Sequence, residues 1–205
     1  MTMTYRERSS NSWTVMTEPT KSAVIKTIGH SNHPILRFVD LLKKGGIELL
    51  VDVRSTPYSR RFPQFGRERL IQTLAAAGID YRWEGAALGG KPGTGESYDA
   101  LAARPEFKDA VGRLIARSGE RALCLMCAEK EPLDCHRTVL VARRLAERGA
   151  SVEHLLADGA TRRHEEVEQA LLAKLGAPDL FSTTDPGARL VQAYRAREHR
   201  MRGTA

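Results

Sequence analysis

Arg121-Ala122-Leu123-Cys124-Leu125-Met126-Cys127 is an apolar run that ends in Ala128-Glu129-Lys130-Glu131-Pro132-Leu133-Asp134, after which Cys135-His136-Arg137 opens a helical pattern reaching Arg148. This order reads as a buried strand, a polar turn and a helix, the repeating unit of a parallel sheet. A strand that ends where a helix begins sets side chains beside unpaired backbone N–H groups, an arrangement that α/β proteins use to hold anions. Two thiols, an imidazole and a guanidinium flank that turn.

The same alternation extends in both directions. Ala23 to Ile28 forms a short β-type run, and the turn Gly29-His30-Ser31-Asn32-His33-Pro34 leads into a helix. In that helix Ile35, Phe38, Val39 and Leu42 fall at i, i+3, i+4 and i+7, one face of a 3.6-residue period, and Gly45-Gly46 stops it. Glu48 to Arg54 reads as a near-continuous buried strand, and a helix is expected over Arg67 to Ala77. A third strand is expected over Ile79 to Glu84, then a glycine-rich loop over Gly85 to Gly95. Ser97 to Ser118 is helical with a break at Arg104-Pro105, because proline disfavours α geometry in the residue before it. Val152 to Ala157 makes a fifth strand, and Glu165 to Leu175 a helix closed by Gly176. The expected fold is α/β, a mostly parallel central sheet of about five strands with helices on both faces, a Rossmann-like three-layer arrangement. Residues 1–22 are expected to be a disordered tail, 23–176 the α/β domain, and 177–205 a C-terminal tail with a possible basic helix.

Composition narrows the partners. With 32 Lys and Arg against 25 Asp and Glu, the 205-residue chain carries a formal charge of +7, which favours ligands bearing phosphate or carboxylate. No apolar run approaches the roughly 18 residues that span a bilayer, and the first residues lack the apolar centre of a secretory signal, so a cytoplasmic protein with no membrane partner is expected. Three cysteines are too few for a disulfide framework, and free thiols are expected.

In open α/β sheets ligands sit beyond the carboxyl ends of the strands. Those ends here carry His30 and Ser31, Arg54 and Ser55, the glycine loop with Lys91, Cys127 and Glu129, and Asp158 and Gly159. The expected catalytic residues are Cys127, Glu129, Cys135 and His136, with Glu129 or His136 as acid or base and one thiol as nucleophile. Cys135, at a helix start beside His136 and Arg137, has the setting that lowers a thiol pKa, whereas Glu129 and Glu131 oppose a thiolate at Cys127. The expected ligand-binding residues are His30, Ser31, Arg54, Arg60, Gly89, Gly90 and Arg137, with Arg54 and Arg137 holding the anion and Gly89 and Gly90 letting backbone approach it. The loop around Arg60 and Arg61, with Tyr58, Phe62 and Phe65, either grips phosphates and stacks bases or is a solvated loop whose aromatics pin it to the core. Gly85 to Lys91 has P-loop spacing, but Pro92 stands where Ser or Thr would bind magnesium, so triphosphate hydrolysis by that route is excluded. A zinc site here would use Cys127, Cys135 and His136, with His30 or His164. Since zinc motifs recur as pairs and no second pair occurs, no metal is expected. No cofactor is named by any motif.

Several of these residues recur together in order: Thr27-Ile28-Gly29-His30-Ser31-Asn32, Asp52-Val53-Arg54-Ser55-Thr56-Pro57-Tyr58-Ser59-Arg60, Leu88-Gly89-Gly90, Cys127-Ala128-Glu129 with Pro132, Cys135-His136-Arg137, and His154 before Asp158-Gly159. Over roughly Ala23 to Leu172 the set resembles the family called domain of unknown function 488. The resemblance implies a compact α/β domain whose signature residues coincide with the strand-end site, and no activity. A weaker likeness is to rhodanese-type sulfurtransferases, in Asp52-Val53-Arg54 and Cys127. Glu129, Glu131 and Pro132 occupy the loop that in those enzymes cradles an anion. The expected function is an enzyme-like domain for an anionic small molecule, nucleotide or nucleic-acid end. The alternatives are a non-catalytic nucleic-acid-binding or regulatory module, a sulfurtransferase and a thiol redox sensor.

Overall fold

The computed structural model describes residues 24–91, 95–175 and 185–203. The expected N-terminal tail and Gly176 lie outside them. Six strands form one sheet in the order β3-β2-β4-β1-β5-β6. They are β1 (Val24–Gly29), β2 (Leu49–Asp52), β3 (Asp80–Trp83), β4 (Leu123–Cys127), β5 (Ser151–Leu155) and β6 (Thr161–Arg163). The first five pair in parallel, with Thr27 opposite Leu125 and Val51 opposite Leu125 across the centre. The sixth, antiparallel to β5, is an edge strand of three exposed residues whose polar sequence carries no apolar alternation, so the sequence offered no strand signal there.

Helices cover both faces. On one face α1 (Ile35–Lys44) and α2 (Arg67–Ala76) pack Phe38, Leu42, Leu70 and Leu74 against Ile28, Leu50, Cys124 and Met126. On the other, α4 (Tyr98–Ala103), α5 (Pro105–Ser118), α7 (His164–Leu175) and α8 (Pro186–Gly203) close over Ile25, Val51, Leu123 and Leu125. A π-helical segment, Arg137–Ala142, runs on into α6 (Arg143–Ala146) in the same layer. The break between α4 and α5 falls at Arg104, in extended geometry before Pro105, and the Ser97 side chain caps α4 by accepting from the Ala100 N–H. The expected glycine loop instead opens with a single helical turn, α3 (Gly85–Leu88), which buries Leu88 in the core.

This strand order creates a switch point. From β1 the chain leaves through α1 towards β2, whereas from β4 it leaves over the opposite face through Arg137–Ala146 towards β5. The two connections diverge between adjacent strands, and their carboxyl ends flank the crevice where open α/β sheets take ligands. Beyond the strands His30 N–H still donates to the Cys127 carbonyl (2.9 Å) and Ser31 N–H to that of Ala128 (2.8 Å), so the crevice floor is pinned.

The α8 helix is fastened to this end of the sheet. Tyr98 N–H donates to Glu198 (2.7 Å), Arg202 to the Glu96 carbonyl, and Arg197 to the Leu133 carbonyl (2.7 Å) and to Asp134. Its Tyr194 ring lies under the guanidinium of Arg143, 4.7 Å away.

Candidate functional site

A cleft of about 1380 Å³ opens at the switch point. Its lining includes His30, Arg54, Gly90, Cys127, Glu129, Cys135 and His136, so seven expected site residues from four separate segments meet there. Ser55, Tyr58 and Lys91 form one side, and Arg197, His199, Arg200 and Arg202 of α8 another.

The floor is a sulfur and imidazole cluster. His136 directs Nε2 at the Val53 carbonyl oxygen (2.9 Å), which can only accept, so Nε2 carries a proton and Nδ1 faces the sulfurs. From Nδ1 it is 3.4 Å to Sγ of Cys127 and 3.8 Å to Sγ of Cys135. Cys127 also points its thiol at Oε2 of Glu129 (3.6 Å), and the Arg137 backbone N–H points at Cys135 (3.5 Å). These contacts separate the two cysteines electrostatically. Burial pushes the Cys127 thiol up, and the neighbouring Cys135 and Glu129 charges add to the effect. Burial alone would also raise Cys135, but the hydrogen bond from Cys127 and the charges of Arg137 and His136 reverse this and hold it well below the ordinary thiol range. The Cys135 charge in turn raises His136 against its own burial. Glu129 is raised by burial and by that same charge.

The arginines do other work. Arg54 reaches Asp52 through Nε (2.9 Å) and one terminal nitrogen (2.6 Å), and also the Phe65 carbonyl (2.9 Å). Its remaining terminal nitrogen contacts Nε2 of His30 at 3.3 Å. Expected to hold a ligand anion, Arg54 faces the cleft with its fork already filled by a carboxylate. Arg137 is fully buried and grips the carbonyls of Glu129 (2.5 Å) and Lys130 (3.1 Å), so its guanidinium shapes the loop after β4 and does not line the cleft. Gly29 allows that loop to approach, since a Cβ there would lie 1.8 Å from the Glu129 carbonyl oxygen.

His30 is stacked on Phe65 at 4.2 Å and hydrogen-bonded to the Ser31 carbonyl (2.9 Å). Burial lowers its pKa to about 4, so it is neutral near pH 7. Ser31, in left-handed geometry at φ 47, turns the chain and lies outside the cleft lining. Arg60 is exposed and also outside the lining. Gly89 and Gly90 were expected to let backbone meet a ligand. Where a side chain would stand, each meets the protein itself: a Cβ on Gly89 would lie 2.4 Å from Oγ of Ser55, and one on Gly90, which lines the cleft, 2.3 Å from Cγ of His136.

The α8 contribution to the site escaped sequence reasoning, which expected no more than a basic helix in the C-terminal tail. A second polar system also lay hidden. Thr27 Oγ1, His154, His164 and Tyr194 are joined in a buried chain by contacts of 2.8, 3.0 and 3.1 Å, and Tyr194 donates to Glu168 (2.8 Å). If the Tyr194 proton goes to Glu168, one direction of donation satisfies every link: Thr27 to His154, His154 to His164, His164 to Tyr194.

A family model described as domain of unknown function DUF488 matches residues 34–144, just over half of the chain. No curated protein and no solved structure matches it. Among the described residues no helix is long and apolar enough to cross a membrane.

Proposed function

Since the chain belongs to the family described as domain of unknown function DUF488, its chemistry has to be read from its own side chains, and we propose an enzyme that acts on an anionic ligand in the switch-point cleft. One observation carries this reading: Glu129, Cys127 and His136 converge within 3.6 Å contacts on the floor of a cleft walled by basic side chains. The cluster of Cys127, Cys135 and His136 supplies the attacking group, and Glu129 moves the proton. The ligand is a phosphorylated small molecule, a nucleotide or a nucleic-acid end.

Recognition is assigned to the rim, because Arg54 and Arg137 are committed to protein partners. Lys91 stands exposed on one side, and on the other the α8 segment Arg197 to Arg202 adds positive charge while Arg197 and Arg202 hold Leu133, Asp134, Glu96 and Glu198. Tyr58, 66% exposed at the same rim, offers an aromatic face for a base. A thermal-shift screen of nucleotides, sugar phosphates and short single-stranded oligonucleotides tests the reading, since a ligand that binds only the folded state raises its stability. Lys91→Ala is expected to diminish the shift from the active class, while Glu129→Gln keeps the shift and loses turnover. No shift from any class overturns the reading.

The exposed Tyr58, Arg60 and Arg61 also favour a second reading, a nucleic-acid-binding module without catalysis. Its affinity would fall steeply with salt as phosphate contacts release counterions. Retention on nucleic acid that is salt-independent, or absent, removes it.

A further inference from the structure

Three metal-ligating atoms, two sulfurs and a nitrogen, stand together at the base of the cleft. Both sulfurs and a ring nitrogen of His136 lie within 4.8 Å of one another, and Nδ1 is 3.4 and 3.8 Å from the two sulfurs. Tetrahedral zinc, with Zn–S near 2.3 Å and Zn–N near 2.0–2.1 Å, places sulfur and nitrogen ligands about 3.6 Å apart and two sulfurs about 3.8 Å apart. Adjustments of no more than about 1 Å bring the cluster to that geometry.

Hydrogen bonding alone uses these atoms poorly. Nδ1 offers a single proton or a single lone pair, yet it faces two sulfurs. A cation at the centroid engages all three atoms at once. The surroundings also suit one: Nε2 of His136 is held by the Val53 carbonyl, the outer contact that fixes a metal-binding imidazole, and a backbone N–H supports Cys135. Two ligands are consecutive at a helix start and the third ends the adjacent β4 strand, so the set is rigid. Two sulfurs and one nitrogen select zinc over magnesium or calcium, which take oxygen.

We infer that Cys127, Cys135 and His136 form a three-ligand zinc site whose fourth position opens to the cleft beside Glu129. The expectation of no metal rested on the lack of a second paired motif, a rule that describes four-ligand structural sites; an open site needs only three protein ligands. This inference rests on the reading of the cluster as the reacting centre, and it makes a metal-held water the group the cluster offers to the ligand.

The test uses the full chain, stripped with a chelator under reducing conditions and titrated with zinc against a chromophoric competitor. One equivalent is expected. Cys127→Ser and His136→Ala should each lose at least the ~10–100-fold in affinity that even outer-shell partners command, and Glu129→Gln should keep the stoichiometry. Binding below a tenth of an equivalent in the wild type, or undiminished in the Cys127→Ser/Cys135→Ser variant, overturns the inference. Cys135 is buried, so cobalt substitution of the wild type gives a readout free of folding effects. A tetrahedral spectrum with thiolate-to-cobalt charge transfer is expected, and an octahedral one without it overturns the site. Running the anion screen on stripped and zinc-loaded protein separates the two proposals. Zinc binding without any anion shift removes only the enzyme reading, and an anion shift without zinc binding removes only this one.

Discussion

The backbone of Gly90 lies against the imidazole of His136 so closely that a Cβ would stand 2.3 Å from Cγ and 2.4 Å from Cβ of that ring-bearing side chain. His136 cannot retreat without losing the Val53 carbonyl. Gly90→Ala is therefore expected to destabilise the protein by about 1–3 kcal/mol, the usual cost of overpacking. Gly112, in the middle of α5, meets only Arg148 at 4.0 Å. Gly112→Ala should stabilise by about 0.5–1 kcal/mol through helix propensity. Urea unfolding of both variants checks the pair, and equal effects would contradict the packing described at Gly90.

Arg137 is expected to be a stability residue. Truncation to alanine opens a cavity and strips the Glu129 and Lys130 carbonyls of their donors, together costing about 3 kcal/mol or more. Arg137→Ala protein that melts like the wild type but loses ligand response would instead place the guanidinium in recognition.

Asp52 and Arg54 form a buried ion pair, 0% and 6% exposed, with Tyr81 donating to the same carboxylate (2.8 Å). Asp52→Asn leaves a buried guanidinium without its countercharge, at an expected cost of about 3–5 kcal/mol. A loss under 1 kcal/mol in denaturant unfolding would show that water screens the pair.

Acid should weaken the α7 and α8 attachment. Burial lowers His164 to about 4 and His154 well below its ordinary value, with the His164 charge a further cause at His154. Both are neutral when folded, while the unfolded chain takes up protons below about pH 6.5. Their contribution is complete above that value and is lost as pH falls, at His164 towards about 4. At His164 the loss amounts to roughly 3 kcal/mol at most. His164→Gln should flatten the fall in unfolding free energy between pH 7 and 4.5 relative to wild type, and an unchanged slope would mean that His164 is not neutral in the fold.

Much of the architecture was legible because each segment's periodicity reflects its own burial. The i, i+3, i+4 spacing of Ile35, Phe38, Val39 and Leu42 marks α1, and the unbroken run Leu49 to Val53 marks a strand covered on both faces. Edge strand β6 escaped because polar, exposed residues carry no such record. At the site, the residue types, the strand ends that bear them and the basic neighbours of Cys135 could be read from order alone, since these are local features, whereas the Cys127 contact that sets the two thiols apart could not.

The chain order by itself determined a parallel α/β sheet with Cys127, Glu129, Cys135 and His136 around a single strand-to-helix turn, because burial period and turn chemistry are written within short windows. Only the tertiary structure decided how the groups are used. It sent Arg54 to Asp52 and Arg137 to two loop carbonyls, aimed Nδ1 of His136 at both sulfurs by seating Nε2 on Val53, and brought α8 to the cleft wall. A long polar side chain takes whichever partner compensates its burial, and that partner lies 83 residues away along the chain for His136 and Val53.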